Sequence, residues 1–267
     1  MKKYFSFFRL RFVMGLQYRS AALAGVVTQF FWGFMEILVL RAFYEADPIA
    51  YPMTIEATCC YVWLQQAFLA LLSAHNFDRE LMNCVTNGGI AYELCRPISV
   101  YNMWFARNIA VKTSQAMLRC VPILGVVIFL PRGYGLAAPR DGLHFILFLW
   151  TLFMGLSVLV ATQMIIYMIM FFTLSVEGVK SFFMSIIELL TGAVIPIPFF
   201  PEKVQRVLEI LPFGAMQNVP YRIYSGDLTG TQMGRAVLMQ LFWLAVLTAL
   251  GKILMGRAER KVIVQGG

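Results

Sequence analysis

The chain has 267 residues, of which 60 % are hydrophobic and only 13 % charged. That balance excludes a soluble globular domain and points to an all-α polytopic membrane protein whose architecture the bilayer sets. The net charge of +8 does not require a nucleic-acid partner, because the basic residues flank apolar runs, where they orient membrane spans.

Residues 1–19 open the chain with Tyr4, Phe5, Phe8, Phe12 and Leu16 near one helical face and Lys2, Lys3, Arg9 and Arg11 as cations. This pattern predicts an amphipathic helix lying in the membrane interface, with a frayed tail of snorkelling bases as the alternative. Arg9 and Arg11 interrupt any signal-peptide core and no small-residue cleavage site follows, so the segment is expected in the mature protein.

Six spans are predicted, at 21–44, 57–74, 104–130, 143–173, 181–200 and 233–255, in one transmembrane domain covering 1–267. The first carries Gln29 and Glu36. A carboxylate at that depth costs at least ~2.5 kcal/mol, so Glu36 should face protein or a wet cavity. Arg41 is expected to snorkel outward. Acidic residues 45–56 form a short loop, and the second span carries Gln65 and Gln66, which should bond to a neighbouring helix. His75 closes it as an interfacial histidine. Residues 75–103 form a folded polar loop. Within it Asn87-Gly88-Gly89 makes a sharp turn, Ile90 to Cys95 has helical spacing, and Arg96-Pro97 stops the helix.

The third span carries Arg107, Lys112 and Arg119. Lys112 can snorkel to the cytosol, and the deeper Arg119 is a candidate partner for a buried carboxylate. Pro122 is tolerated within a span. The fourth is long enough to tilt, with small residues Thr151, Gly155, Ser157 and Ala161 suited to close packing. The fifth contains Glu188 and breaks at Pro196, Pro198 and Pro201. Residues 201–232 then form a cap or re-entrant element of short amphipathic pieces, since bare loop backbone is unstable in lipid.

Orientation follows from the basic residues. With both termini inside, the inner side holds Lys2, Lys3, Arg9, Arg11, Arg19, Arg79, Arg96, Arg107, Lys112, Lys180, Arg257, Arg260 and Lys261. The outer side holds fewer: Arg132, Arg140, Lys203, Arg206, Arg222, and at most Arg41 and Arg235.

Cys59, Cys60, Cys84, Cys95 and Cys120 form no C-x-x-C pair and have no histidine at ligand spacing, so neither a metal site nor a disulfide framework is expected. No G-x-x-x-x-G-K-[ST], H-E-x-x-H or G-x-S-x-G occurs. The chain is therefore not expected to be an enzyme, and any ATP use falls to another subunit.

The run Gly88-Gly89-Ile90-Ala91-Tyr92-Glu93-Leu94-Cys95-Arg96-Pro97-Ile98-Ser99 resembles the phrase between the second and third spans of bacterial ATP-binding-cassette permeases of the type-2, export-like class. Cys95 departs from it, standing where an aliphatic residue is commoner. Leu211-Pro212-Phe213, Tyr224-Ser225-Gly226-Asp227-Leu228 and the Gln265-Gly266-Gly267 ending match more loosely. The resemblance implies that Asn87, Gly88, Gly89, Ile90, Ala91, Tyr92, Glu93, Leu94, Arg96 and Pro97 form a coupling element that docks on a separate ATPase subunit. The N-terminal helix would also lean on that subunit.

It further implies external re-entrant helices before the last span, and pairing with a second permease, identical or similar. Two ATPase subunits would carry ATP and Mg, leaving no cofactor on this chain. The location implied is the bacterial cytoplasmic membrane, with lipid around the spans. Gln29, Glu36, Arg119 and Glu188 are candidate residues of a translocation path; equally, the charged ones could form interhelical ion pairs. Two other functions stay open, a non-transporting scaffold or sensor subunit and a secondary carrier.

Overall fold

Four apolar stretches form helices long enough to cross a bilayer. They are α2 (Arg19–Ala46), α7 (Val100–Val127), α8 (Gly142–Met170) and α12 (Thr231–Lys261). The computed structural model describes residues 2–261 except 18, 50, 88, 132 and 174, and is helical throughout with no strand among them. The expectations for Gly88, Arg132 and Gln265-Gly266-Gly267 lie outside the described residues. Polar caps set helix starts: Ser99 accepts from the Asn102 N–H at 3.4 Å and Asp141 from the His144 N–H at 2.8 Å.

The six expected spans are not six long helices. The second is split at Phe68 into α3 (Ile55–Ala67) and α4 (Leu69–Leu72). The fifth is α9 (Val176–Leu190), whose 15 residues span about 22 Å against a hydrocarbon core of ~30 Å. Gly192, at φ +81, turns the chain beyond its end. A 3-10 turn at Ile197–Phe199 then occupies the proline-rich stretch, where missing N–H groups forbid continuing the α-helix.

The first helix, α1 (Lys2–Gly15), runs beside the first half of α7, in the same direction. The Tyr4 hydroxyl accepts from the Ser99 N–H at 3.3 Å. At its far end Gly15 abuts Ser114 so closely that a Cβ would collide with the serine side chain. Phe7 and Phe8 pack against the core while Phe5, Leu10 and Val13 stay exposed.

The core centres on α8, which is paired with α12 and with the short helix α11 (Asn218–Tyr224). Trp104, Tyr61, Tyr167 and Tyr221 are wholly enclosed. Gly155 lets the main chain at Ala215–Met216 press against α8, and Gln240 of α12 donates to Thr151 O at 3.0 Å and Ala215 O at 2.8 Å. The segment 215–221 is therefore buried between helices rather than laid over them. Ahead of it, α10 (Glu202–Ile210) is amphipathic and mostly exposed. Arg222 ties this region together through Glu209 at 2.7 Å and Asp227 at 2.5 Å. Phe31, Trp32, Phe43, Trp150, Phe153 and Phe242 remain exposed around the bundle. Apolar surface on that scale suits lipid or another membrane subunit.

Candidate functional site

The polar loop between α4 and α7 folds into an elbow of two short helices, α5 (Arg79–Thr86) and α6 (Ile90–Leu94). Asp78 caps α5 by accepting from the N–H groups of Glu80 at 2.9 Å and Leu81 at 3.3 Å. Leu81, Met82 and Ile90 anchor the elbow in the core. Its tip points away: Tyr92 is 81 % exposed, and Leu94, Cys95, Arg96 and Pro97 are exposed too. Glu93 pairs with Arg96 at 3.5 Å across one helical turn. Asn87 and Gly89 flank the turn between the helices, Asn87 donating its N–H to Asn83 O at 2.9 Å.

Behind that tip, the strand of chain from Ser73 to Glu80 is fastened to α7 and α8 at several points. Arg107 of α7 grips Asp78 through Nε at 2.5 Å and Nη2 at 2.9 Å, and reaches Glu80 with Nη2 at 2.5 Å. Arg11 of α1 meets the same Glu80 oxygen at 3.1 Å. Lys112 donates to Ser73 O at 3.0 Å. From α8, Gln163 donates to Ala74 O at 3.1 Å and Asn76 O at 3.4 Å, and the Tyr167 hydroxyl accepts from the Asp78 N–H at 2.7 Å. Asn76 in turn donates to Ala70 O and to Gln115 Oε1.

The electrostatics follow from this crowding. Burial alone would raise the Glu80 pKa, but the hydrogen bond and charge of Arg107, with the charge of Arg11, outweigh it and leave it lowered. Partial burial raises the Cys84 thiol, which makes it a poor nucleophile. These bonds hold the elbow to two long helices, α7 and α8.

The four candidate path residues fall in three places. Gln66 donates to Glu36 Oε2 at 3.4 Å. Between Gln29 and Glu36, Gly33 admits the Trp63 ring and the Gln66 stem. Gln29 is 4 % exposed, and neither amide atom has a partner among the described residues. Arg119 lies against Gly25 and, although a candidate partner for a buried carboxylate, shows no ion pair among the described residues. Glu188 meets His75 at 3.3 Å. Lys112 also departs from expectation: it is fully buried rather than snorkelling.

Sequence reading missed the clamp made by Asp78, Arg107, Lys112 and Gln163. The available signal was a cluster of polar residues on both sides of the elbow; what it lacked was pairing, since the partners sit 29 to 89 positions apart.

Residues 30–266 match the family model described as ABC-2 family transporter protein. No curated protein matches the chain. The match covers the elbow, the clamp and all four long helices but α2's first turns. Permeases of this family generally work with an ATPase partner. The apolar helices and the family match together make this a multi-pass membrane protein with a transport role, and the chain belongs to the ABC-2 transporter family.

Proposed function

We propose that the chain is the membrane half-subunit of an ATP-driven exporter and that a separate ATPase subunit docks on the α5–α6 elbow. One observation carries this reading. The elbow presents an exposed aromatic tip at Tyr92 and is bonded behind that tip to α7 and α8, so a push on the tip reaches the bundle. Asn87, Gly89, Ile90, Ala91, Glu93, Leu94, Arg96 and Pro97 complete the docking element, with α1 beside it.

In this reading the bundle crosses the membrane six times. The α3–α4 pair makes one short crossing, and α9 with the turn that follows makes another. The buried segment 211–224 re-enters from the outer side. Both termini and the elbow lie on the cytosolic side of the cell membrane, as the excess of basic residues there favours. The subunit pairs with a second permease across its exposed apolar helices. ATP and Mg bound between the partner ATPases drive the switch from inward-open to outward-open, which displaces the elbow and rocks the spans as rigid bodies. Gln29, Glu36 and Gln66 line the path, and Arg119 and Glu188 stand at its margins.

Co-purification of the ATPase, with ATP-dependent flux in inverted vesicles, tests the proposal. Flux that survives ATP depletion means a secondary carrier, and partner binding without any flux means a scaffold. Labelling of Cys95 from outside intact cells overturns the orientation.

A further inference from the structure

We infer that the cavity between α1, α5 and α7 is a binding site for a phosphate-bearing headgroup, the anionic end of a membrane lipid. The cavity measures about 520 Å³ and is lined by four arginines, Arg11, Arg79, Arg107 and Arg119, within the ~300–1,000 Å³ of small-molecule sites. Only two carboxylates, Asp78 and Glu80, share that lining. Four positive charges against two leave the cavity with a surplus of two.

The two acids are already committed. Asp78 is held by Arg107 and caps α5, and Glu80 bridges Arg107 and Arg11. Donors remain unfilled on the other side. The buried Nε of Arg11 has no acceptor among the described residues. Arg79 is exposed, and neither it nor Arg119 has an ion pair there. A tetrahedral oxyanion is the group that several planar guanidinium forks satisfy together, and the partly desolvated setting strengthens the attraction.

The rest of the wall selects a lipid. Met14, Ala22, Val111 and Leu118 line the same cavity. Leu23 of α2 and Met117 and Val121 of α7 stay exposed on the adjoining helix turns. A ligand with a phosphate at one end and an acyl chain at the other fits both halves. The inference rests on the membrane placement proposed above, which puts this end of the bundle at the anionic cytosolic leaflet. It needs neither ATPase docking nor flux.

The test uses the full chain, purified in detergent without any ATPase. Thermal unfolding and native mass spectrometry are followed while phosphatidylglycerol, phosphatidylcholine or inorganic phosphate is added. Phosphatidylglycerol should raise the melting temperature and stay bound, and phosphatidylcholine should not. Arg119→Gln and Arg79→Gln should each weaken phosphatidylglycerol binding about fivefold, the factor that matches ~1 kcal/mol per basic residue at an anionic surface. Neither substitution removes an ion pair seen among the described residues, and Arg79 is exposed, so at least that variant should fold.

A shift by inorganic phosphate that Arg119→Gln abolishes, without one by phosphatidylglycerol, keeps the phosphate site and removes the lipid. Equal response to the two lipids, or undiminished phosphatidylglycerol binding in both variants, overturns the inference. Because no ATPase is present, that failure is distinct from failure of the transport reading, which co-purification and flux decide.

Discussion

Arg107 holds Asp78 with two nitrogens at once, Nε 2.5 Å from Oδ2 and Nη2 2.9 Å from Oδ1, and both side chains are more than nine-tenths buried. The pair joins the residue that caps the elbow's first helix to the first third of the long helix α7. It also leaves each charge dependent on the other, because neither has bulk water to fall back on.

Arg107→Ala should therefore destabilise the protein by about 3–5 kcal/mol, the usual cost of stranding one partner of a buried ion pair. Arg107→Lys should recover only part of that, since a lysine cannot span both carboxylate oxygens. Thermal unfolding of the two variants in detergent measures the difference. Equal melting temperatures for wild type and Arg107→Ala would show that the pair holds nothing together.

Acid should loosen the same clamp through Glu80. Its pKa is lowered in the folded state from 4.5, so the native form favours the ionised carboxylate. The contribution is fully present above that ordinary value and is lost as pH falls through the lower folded one. The gap in melting temperature between wild type and Glu80→Gln should be widest near neutral pH and shrink as the solution is made acid below the ordinary carboxylate value. Glu80 is largely exposed, so solvent screening keeps the gap small.

Gly155→Ala should loosen the buried segment after α10, because the added Cβ would collide with the main-chain oxygen of Met216. Overpacking of this kind costs about 1–3 kcal/mol. Gly234→Ala is the control. A Cβ there meets nothing, and in a helix the change should stabilise by up to ~1 kcal/mol. Opposite shifts in melting temperature for the two variants are the expected result.

Tyr92→Ala should leave stability within about 0.5 kcal/mol of wild type, as for other exposed surface changes, yet remove ATPase association or stimulated hydrolysis. Pull-down of the ATPase by the folded variant reads this directly. Retained association would place the contact elsewhere on the elbow.

Much of the architecture was legible from local pattern. Long apolar runs specify α2, α7, α8 and α12, since a backbone in lipid must satisfy its own hydrogen bonds. Pro196, Pro198 and Pro201 announced the break after α9, and the helical spacing from Ile90 with Arg96-Pro97 behind it announced α6. These signals are short-range, carried by neighbours within a turn or two. The interruption at Phe68 was not legible, as nothing in Ala67-Phe68-Leu69 forbids a helix.

Composition and apolar periodicity by themselves determined the class of molecule: an all-helical chain in a bilayer, with the elbow's turn and stop residues in their places. Only the tertiary structure decided which polar side chains meet. Lys112 looked free to reach water until Ser73 and the packing around it enclosed the amine. Arg119 was a candidate partner for a carboxylate, and the fold puts Glu36 beside Gln66 and Glu188 beside His75. Desolvation and pairing are properties of three-dimensional neighbourhoods, and residues that meet across tens of positions leave no periodic trace along the chain.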